Sequence, residues 1–272
     1  MLETSAPVNR YLGPESIIPM IDPKERFSNR VDDYVRYRPG YPPEVFEMLV
    51  REARLGAASV VADIGSGTGI LTRGLLASCD ARIFAIEPNA AMRAAGESAL
   101  VGDPRFTSVD ASAEDTRLPG ASVDLVVAGQ AFHWFDPPRA RAEFARILKP
   151  TGMVALVWNQ RRDSPLNRDY LEMLERLVPE YRNVRESERS SAPRMLAFFA
   201  PATPRTAMFE NEQRLDEAGF HGRLASSSYA PPPGDPRHAA IAARTAEIFR
   251  AHARDGQVAI AYDTVVWYGG LA

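Results

Sequence analysis

One stretch constrains this chain more than any other: Val60-Val61-Ala62-Asp63-Ile64-Gly65-Ser66-Gly67-Thr68-Gly69. It begins as a short apolar strand closed by an acidic residue. Glycines follow at every second position, and Ile70-Leu71-Thr72 then opens an amphipathic helix. Glycine is needed where the backbone turns tightly or must lie bare against a ligand. A helix starting just after such a turn offers free N–H groups and the positive end of its dipole. Strand, glycine turn and helix together predict a nucleotide-type pocket at the carboxyl edge of a parallel sheet.

The remaining sequence continues that rhythm. Strands are expected over 59–64, 82–86, 106–110, 122–128 and 153–158, with helices over 70–78, 90–100 and 138–148 between them. Such alternation predicts an α/β fold, a doubly wound and mostly parallel sheet covered on both faces. Residues 44–54 place Val45, Phe46, Leu49 and Val50 on one helix face. Residues 160–210 break the alternation with a helical stretch at 166–177, a charged run at 183–191 and a mixed segment at 193–209. An insertion at this point lies above the ligand crevice. A helix at 213–218, a strand at 223–229, a helix at 236–253 and a strand at 263–268 then complete the sheet. The last two strands are expected to form an antiparallel edge. The resulting division is an arm and lid segment at 1–43, a core at 44–159, an insertion at 160–210 and a completion of the sheet at 211–272.

Bulk properties remove several classes of function. A length of 272 residues suits one large domain. The formal net charge of −3 gives no hint of a nucleic-acid surface. Cys79 is the one cysteine, so no thiol metal site or intrachain disulfide is expected. No apolar run reaches the ~20 residues of a membrane span, and the first residues lack the order of a secretion signal. A cytoplasmic chain, monomeric or homodimeric, is the expectation, with a small-molecule partner and neither nucleic acid nor membrane.

The glycine spacing Gly65-x-Gly67-x-Gly69 differs from the G-x-G-x-x-G pattern that wraps a pyrophosphate. Asp63 can fix the loop and draw a cationic amino group. Glu87 closes the second strand, where a carboxylate accepts from ribose hydroxyls. These features favour a nucleoside ligand with an amino-acid-like tail. Beyond the core, Tyr34, Tyr37, Arg38 and Tyr41 form an aromatic and basic cluster that reads either as a lid over a cation or as a helix packed on the body. His133 follows the fourth strand, and an unperturbed imidazole pKa of about 6.5 suits a base; the bland alternative is packing. Arg161, Arg162, Arg194, Phe198, Phe199 and Met208 lie in the insertion. They read equally as an acceptor-facing lid and as a local helical core, and the arginines favour an anionic acceptor.

The ordered motifs Asp63 to Gly69, Glu87-Pro88, Ser112-Ala113-Glu114-Asp115, Gln130-Ala131-Phe132-His133-Trp134-Phe135-Asp136 and Leu148-Lys149-Pro150-Thr151-Gly152 resemble those of the class I S-adenosylmethionine-dependent methyltransferases. The chain is most similar to the branch with an HWFD motif and an RPGYP-type segment, which includes trans-aconitate-type small-molecule methyltransferases. The resemblance is strong over residues 27–160 and implies a seven-stranded Rossmann-like methyltransferase fold.

The resemblance also implies a set of roles. Asp63, Gly65, Ser66, Gly67, Thr68 and Gly69 would line the methionine part of S-adenosylmethionine. Glu87 and Pro88 would hold the ribose, Met92 would pack near the adenine, and Ser112 and Ala113 would lie at its edge. Where the family has an Asp-Ala pair this chain has Ser-Ala, so Asp110 is a second candidate for the adenine amino group. Gln130 and Ala131 would pass beneath the sulfonium, with Tyr34 and Arg38 closing over the cofactor. Apart from the resemblance, their places in the lid cluster, after the fourth strand, at the end of the fifth strand and in the insertion make Tyr37, Trp134, Trp158, Asn159, Phe198 and Phe199 the expected acceptor contacts. The implied activity is methyl transfer to oxygen or carbon of a small molecule, with S-adenosylhomocysteine as product. A regulator or non-transferring enzyme of the same fold is the alternative.

Overall fold

The computed structural model describes residues 31–179, 181, 191–227, 229–231 and 234–271. The first thirty residues of the expected arm and lid segment lie outside these residues, as do the charged positions 183–190. One sheet runs in the order β3-β2-β1-β4-β5-β7-β6. Its strands are β1 (Val60–Ile64), β2 (Arg82–Ile86), β3 (Phe106–Val109), β4 (Val123–Gly129), β5 (Leu148–Arg161), β6 (Arg205–Leu215) and β7 (Val258–Gly269). The pairs β3–β2, β2–β1, β1–β4 and β4–β5 are parallel, whereas β7 is antiparallel to both of its neighbours. The reversed strand therefore lies one position in from the edge, and β6 forms the edge.

Every residue of β1 is buried. Successive side chains alternate between faces, so this apolar run feeds two cores. Ala62 and Ile64 join Val126, Val154, Phe132, Phe144 and Phe198 on one side. Val61 joins Leu125, Val127, Leu71, Leu75, Phe46 and Leu49 on the other. The covering helices are α1 (Val31–Tyr37), α2 (Pro43–Glu52), α3 (Ile70–Ser78), α4 (Ala90–Leu100) and α5 (Pro137–Ile147). Local chemistry sets their starts. Asn89 Oδ1 accepts from the Met92 N–H at 3.0 Å, and Asp136 caps α5 in the same way.

A third core lies beyond the sheet. It unites α6 (Pro165–Leu177), α8 (Glu217–Ala225) and α9 (His238–His252) through Tyr170, Met173, Phe220, Leu224, Ile248 and Tyr262. The remaining helix, α7 (Ser191–Phe199), packs on α5 and β7 instead.

Two expectations fail in this C-terminal part. The residues read as a helix at 213–218 are the end of β6 and the start of α8, and those read as a strand at 223–229 begin inside α8. The sheet already resumes at Arg205, inside the segment assigned to the insertion. Edge strand β6 mixes apolar and polar residues on both faces, with Ala207, Phe209, Asn211 and Gln213 half-buried and Met208 exposed opposite them, so its alternation carries little hydrophobic contrast. In α8 the glycines suggest a break, yet the Gly219 N–H donates to Asp216 Oδ1 at 2.7 Å as part of the helix cap. Gly222 gives room for Tyr37: a Cβ there would collide with the tyrosine ring.

Candidate active site

The glycine turn folds back onto β2. The Gly65 and Ser66 N–H groups both donate to the Ile86 carbonyl, at 2.8 and 3.1 Å. The Gly67 N–H donates to Glu87 Oε2 at 2.9 Å. Gly65, Gly67 and Gly69 all have positive φ, and Gly69 serves as the N-cap of α3, which has no side-chain cap. A Cβ on Gly65 would lie 2.6 Å from Ala131 Cβ, so the turn tolerates no side chain there.

The turn borders a crevice at the carboxyl ends of β1 and β4. Asp63, Gly65 to Thr68, Ile70, Leu71, Gly129 and Gln130 form its floor and walls, and Tyr34, Arg38, Pro39 and Tyr41 cover it. With its open mouth included, the empty space between these residues is about 480 Å³.

Asp63 is 1% exposed. Its Oδ2 accepts from the Thr72 hydroxyl at 2.6 Å, while Oδ1 is buried without a partner. Burial raises its pKa to about 7, the Thr72 hydrogen bond opposes that rise, and Glu87 adds to it. Thr68 Oγ1 is a second buried orphan beside it. An unsatisfied carboxylate oxygen at the floor of a crevice is costly, and a cationic ligand group would relieve it.

The covering segment is tied down from several sides. The Tyr37 carbonyl accepts from Gln213 Nε2 at 2.8 Å, and Arg38 Nη2 donates to the Ser226 carbonyl at 2.9 Å. The Gly40 carbonyl accepts from Asn159 Nδ2 and Asn211 Nδ2 at 3.1 and 3.0 Å. The Arg38 guanidinium also stacks over the Tyr34 ring at 4.7 Å. Gln130 adopts φ of 57° and directs its amide toward the Asn159 carbonyl, a strained conformation of the kind that gathers at functional sites.

Of the expected cofactor residues, the crevice brings together Tyr34, Arg38, Asp63, Gly65, Ser66, Gly67, Thr68 and Gln130. Gly69, Glu87, Pro88, Met92, Ser112, Ala113 and Ala131 stand outside its lining. The Glu87 carboxylate holds the turn and the Asn89 N–H. Met92, Ala113 and Ala131 are buried. Ser112 Oγ accepts from the Glu114 N–H, and Asp110 pairs with Arg93 at 3.2 Å.

The expected acceptor residues scatter. Phe198 and Phe199 are corrected to core residues: both are buried, and Phe198 meets Phe132 and Phe144 edge-on. Asn159 also binds within the protein, accepting from Thr264 Oγ1 and Asn211 Nδ2. Tyr37 packs on α8 at Gly222. His133 lies in a short 3₁₀ turn, tilted against Trp134 at 4.4 Å and edge-on to Trp158 at 5.3 Å. Sequence reasoning left Pro39, Ile70, Leu71 and Gly129 out of the site, and placed Tyr41 in the lid cluster without a cofactor role. For Gly129 the available signal is a glycine closing a buried strand: a Cβ there would meet Tyr41 Oη at 2.5 Å.

Known proteins agree with this architecture. Residues 62–156 match the family model of a methyltransferase domain. Over those residues the fold and the glycine turn agree with a methyltransferase domain. A methyltransferase of Schizosaccharomyces pombe described as uncharacterized is 38% identical over 141 residues, 51% of this chain and 54% of that protein. Another, of Mycobacterium tuberculosis, is 40% identical over 135 residues, 50% of this chain and 52% of that protein. The chain thus spans about half the length of the curated relatives it matches. A solved structure assigned as a type II methyltransferase, from Anaeromyxobacter dehalogenans, superposes with a TM-score of 0.61 at 24% identity, covering 86% of this chain and 98% of the other. No helix among the described residues is long and apolar enough to cross a membrane.

Proposed function

We propose that this chain transfers a methyl group from S-adenosylmethionine to oxygen or carbon of a small molecule. The observation that carries the reading is the Asp63 oxygen left without a partner beneath a turn of three positive-φ glycines, in which Gly65 has no room for a side chain. When bound, S-adenosylmethionine supplies a methyl group already activated on sulfur. The protein's task is then positioning and exclusion of water.

The residues fit that cofactor. Asp63 and the backbone of Gly65 to Thr68 would take the amino-acid end. Glu87 keeps a second lone pair on each carboxylate oxygen for the ribose hydroxyls. Met92 and the Ser112-Ala113 pair would border the adenine. Tyr34, Arg38 and Tyr41 would seal the crevice. His133 is the candidate base for a protonated acceptor, or a positioning residue where the acceptor arrives ionised. It stands beside Trp134 and Trp158, which would face the acceptor.

Incubating the full chain with methyl-labelled S-adenosylmethionine and a panel of small organic acids, alcohols and activated carbon acids tests this reading. The expected result is S-adenosylhomocysteine above the blank together with a labelled product. Failure of the chain to bind either form of the cofactor would overturn it.

A further inference from the structure

Beyond the cofactor crevice, three arginines and three tyrosines meet where β5, α6, α8 and β7 converge. Arg223 is 5% exposed, and Tyr170, Tyr229 and Tyr262 are buried beside it. The Arg161 guanidinium stacks over the Tyr170 ring at 4.8 Å and donates to Tyr229 Oη at 3.3 Å. Arg223 Nη1 donates to Ser227 Oγ at 3.1 Å. Arg38 reaches the same place from the lid through the Ser226 carbonyl and also lines the crevice.

None of these arginines forms an ion pair with a carboxylate among the described residues. Arg162, next along β5, shows the ordinary arrangement: Asp263 and Glu210 hold it at 2.6 and 3.2 Å. Arg161 points to the opposite face, away from those acids. The Nε groups of Arg38, Arg161 and Arg223, and the hydroxyls of Tyr170 and Tyr262, are all buried without a hydrogen-bond partner. Arg38 and Arg223 repel each other in this setting, and Tyr229, whose phenol is brought down to about 8 by Arg161 and Arg223 although burial opposes it, is the nearest group able to carry a counter-charge. Half-buried and buried cations without a carboxylate partner are disfavoured, and five buried donors facing no acceptor add to that cost.

Resting on the methyl-transfer reading, we propose that this cluster is the acceptor's anchor. In this view Arg161, Arg223 and Arg38, with Tyr170 and Tyr262, bind an oxyanion of the acceptor and hold it next to the cofactor crevice. Guanidinium groups match carboxylate and phosphate oxygens in pairs. An acceptor bearing negative charge would satisfy the orphan donors and remove the repulsion in one step, whereas a neutral acceptor would leave both in place.

The test titrates the full chain with succinate, with inorganic phosphate and with neutral succinamide at constant ionic strength, in the presence and absence of S-adenosylhomocysteine. Succinate or phosphate is expected to bind saturably, which distinguishes an organic acid from a phosphate group, and succinamide is not. Arg161→Gln and Arg223→Gln should each weaken that binding at least tenfold while leaving S-adenosylhomocysteine affinity within about twofold. Both variants should melt, without anion, close to the temperature of the parent, since each loses a cation that no carboxylate pairs. Absence of saturable anion binding, equal binding in the variants, or variants that melt well below the parent would each overturn the proposal. Anion binding in a chain that does not bind S-adenosylhomocysteine would sustain the anion site and sink the methyl-transfer reading.

Discussion

Asp63 shows how one side chain links fold to ligand. It ends a fully buried strand, and its pKa of about 7 reflects desolvation first. In the unfolded chain the same group titrates near 3.9. The folded state therefore holds the extra proton between these values, and stability falls as pH rises from about 4 to about 7, then levels off. Asp63→Asn removes that loss. The variant should be more stable than the parent above pH 7, by ~2–4 kcal/mol, in denaturant titrations across pH 4–8. Ligand binding runs the other way. If the ionised carboxylate receives the ligand's amino group, S-adenosylhomocysteine affinity should fall by up to about tenfold per pH unit below 7. In Asp63→Asn it should be weaker by roughly 10- to 100-fold at pH 8 and nearly flat with pH. A parent chain whose affinity does not change between pH 6 and 8 would remove Asp63 from that role.

Elements decide what the residues can reach, and here the sequence was unevenly legible. The stretch from β1 to β5 announces itself because a buried parallel strand is a continuous apolar run and each helix start carries a side-chain cap or a glycine. The glycine turn and Asp63 were readable for the same reason: backbone constraint and chemistry sit together in ten residues. Tyr41 and Gly129 meet only through the fold. Phe198 read equally as a lid and as a core residue because nothing in a helical stretch tells which body it will cover. Its burial against Phe132 and Phe144 predicts that Phe198→Ala costs ~3–5 kcal/mol of stability without changing S-adenosylhomocysteine affinity in calorimetric titration. The lid makes the opposite prediction. Gly222→Leu would drive a side chain into the Tyr37 ring and push α1 off α8. Affinity for S-adenosylhomocysteine should drop about tenfold or more, for lack of the closing segment, and protease should cut within 31–41 sooner. Unchanged affinity in that variant would mean that α1 does not close the site.

At the scale of the whole molecule, three separate cores divide the labour. Two flank the sheet and fix the crevice between β1 and β4; the third binds α6, α8 and α9 into a cap over the ends of β6 and β7. The cap carries the orphan donors Arg223 and Tyr170 and faces those of Arg38, Arg161 and Tyr262, so under the anion-anchor proposal its interior opposes its own packing until an anion binds. Regions with unsatisfied interiors open at lower free energy than the central strands. Hydrogen exchange followed by mass spectrometry should therefore find the amides of α6, α8 and α9 exchanging at least tenfold faster than those of β1, β4 and β5. Each ligand should then protect its own territory. S-adenosylhomocysteine should slow exchange in the glycine turn, in the first turn of α3 and in α1. Succinate or phosphate should slow it in α6 and α8 and leave the glycine turn unchanged. A cap that exchanges only with the whole sheet would show that its arginines impose no local cost, and would take away the physical reason for placing the acceptor's charge among them.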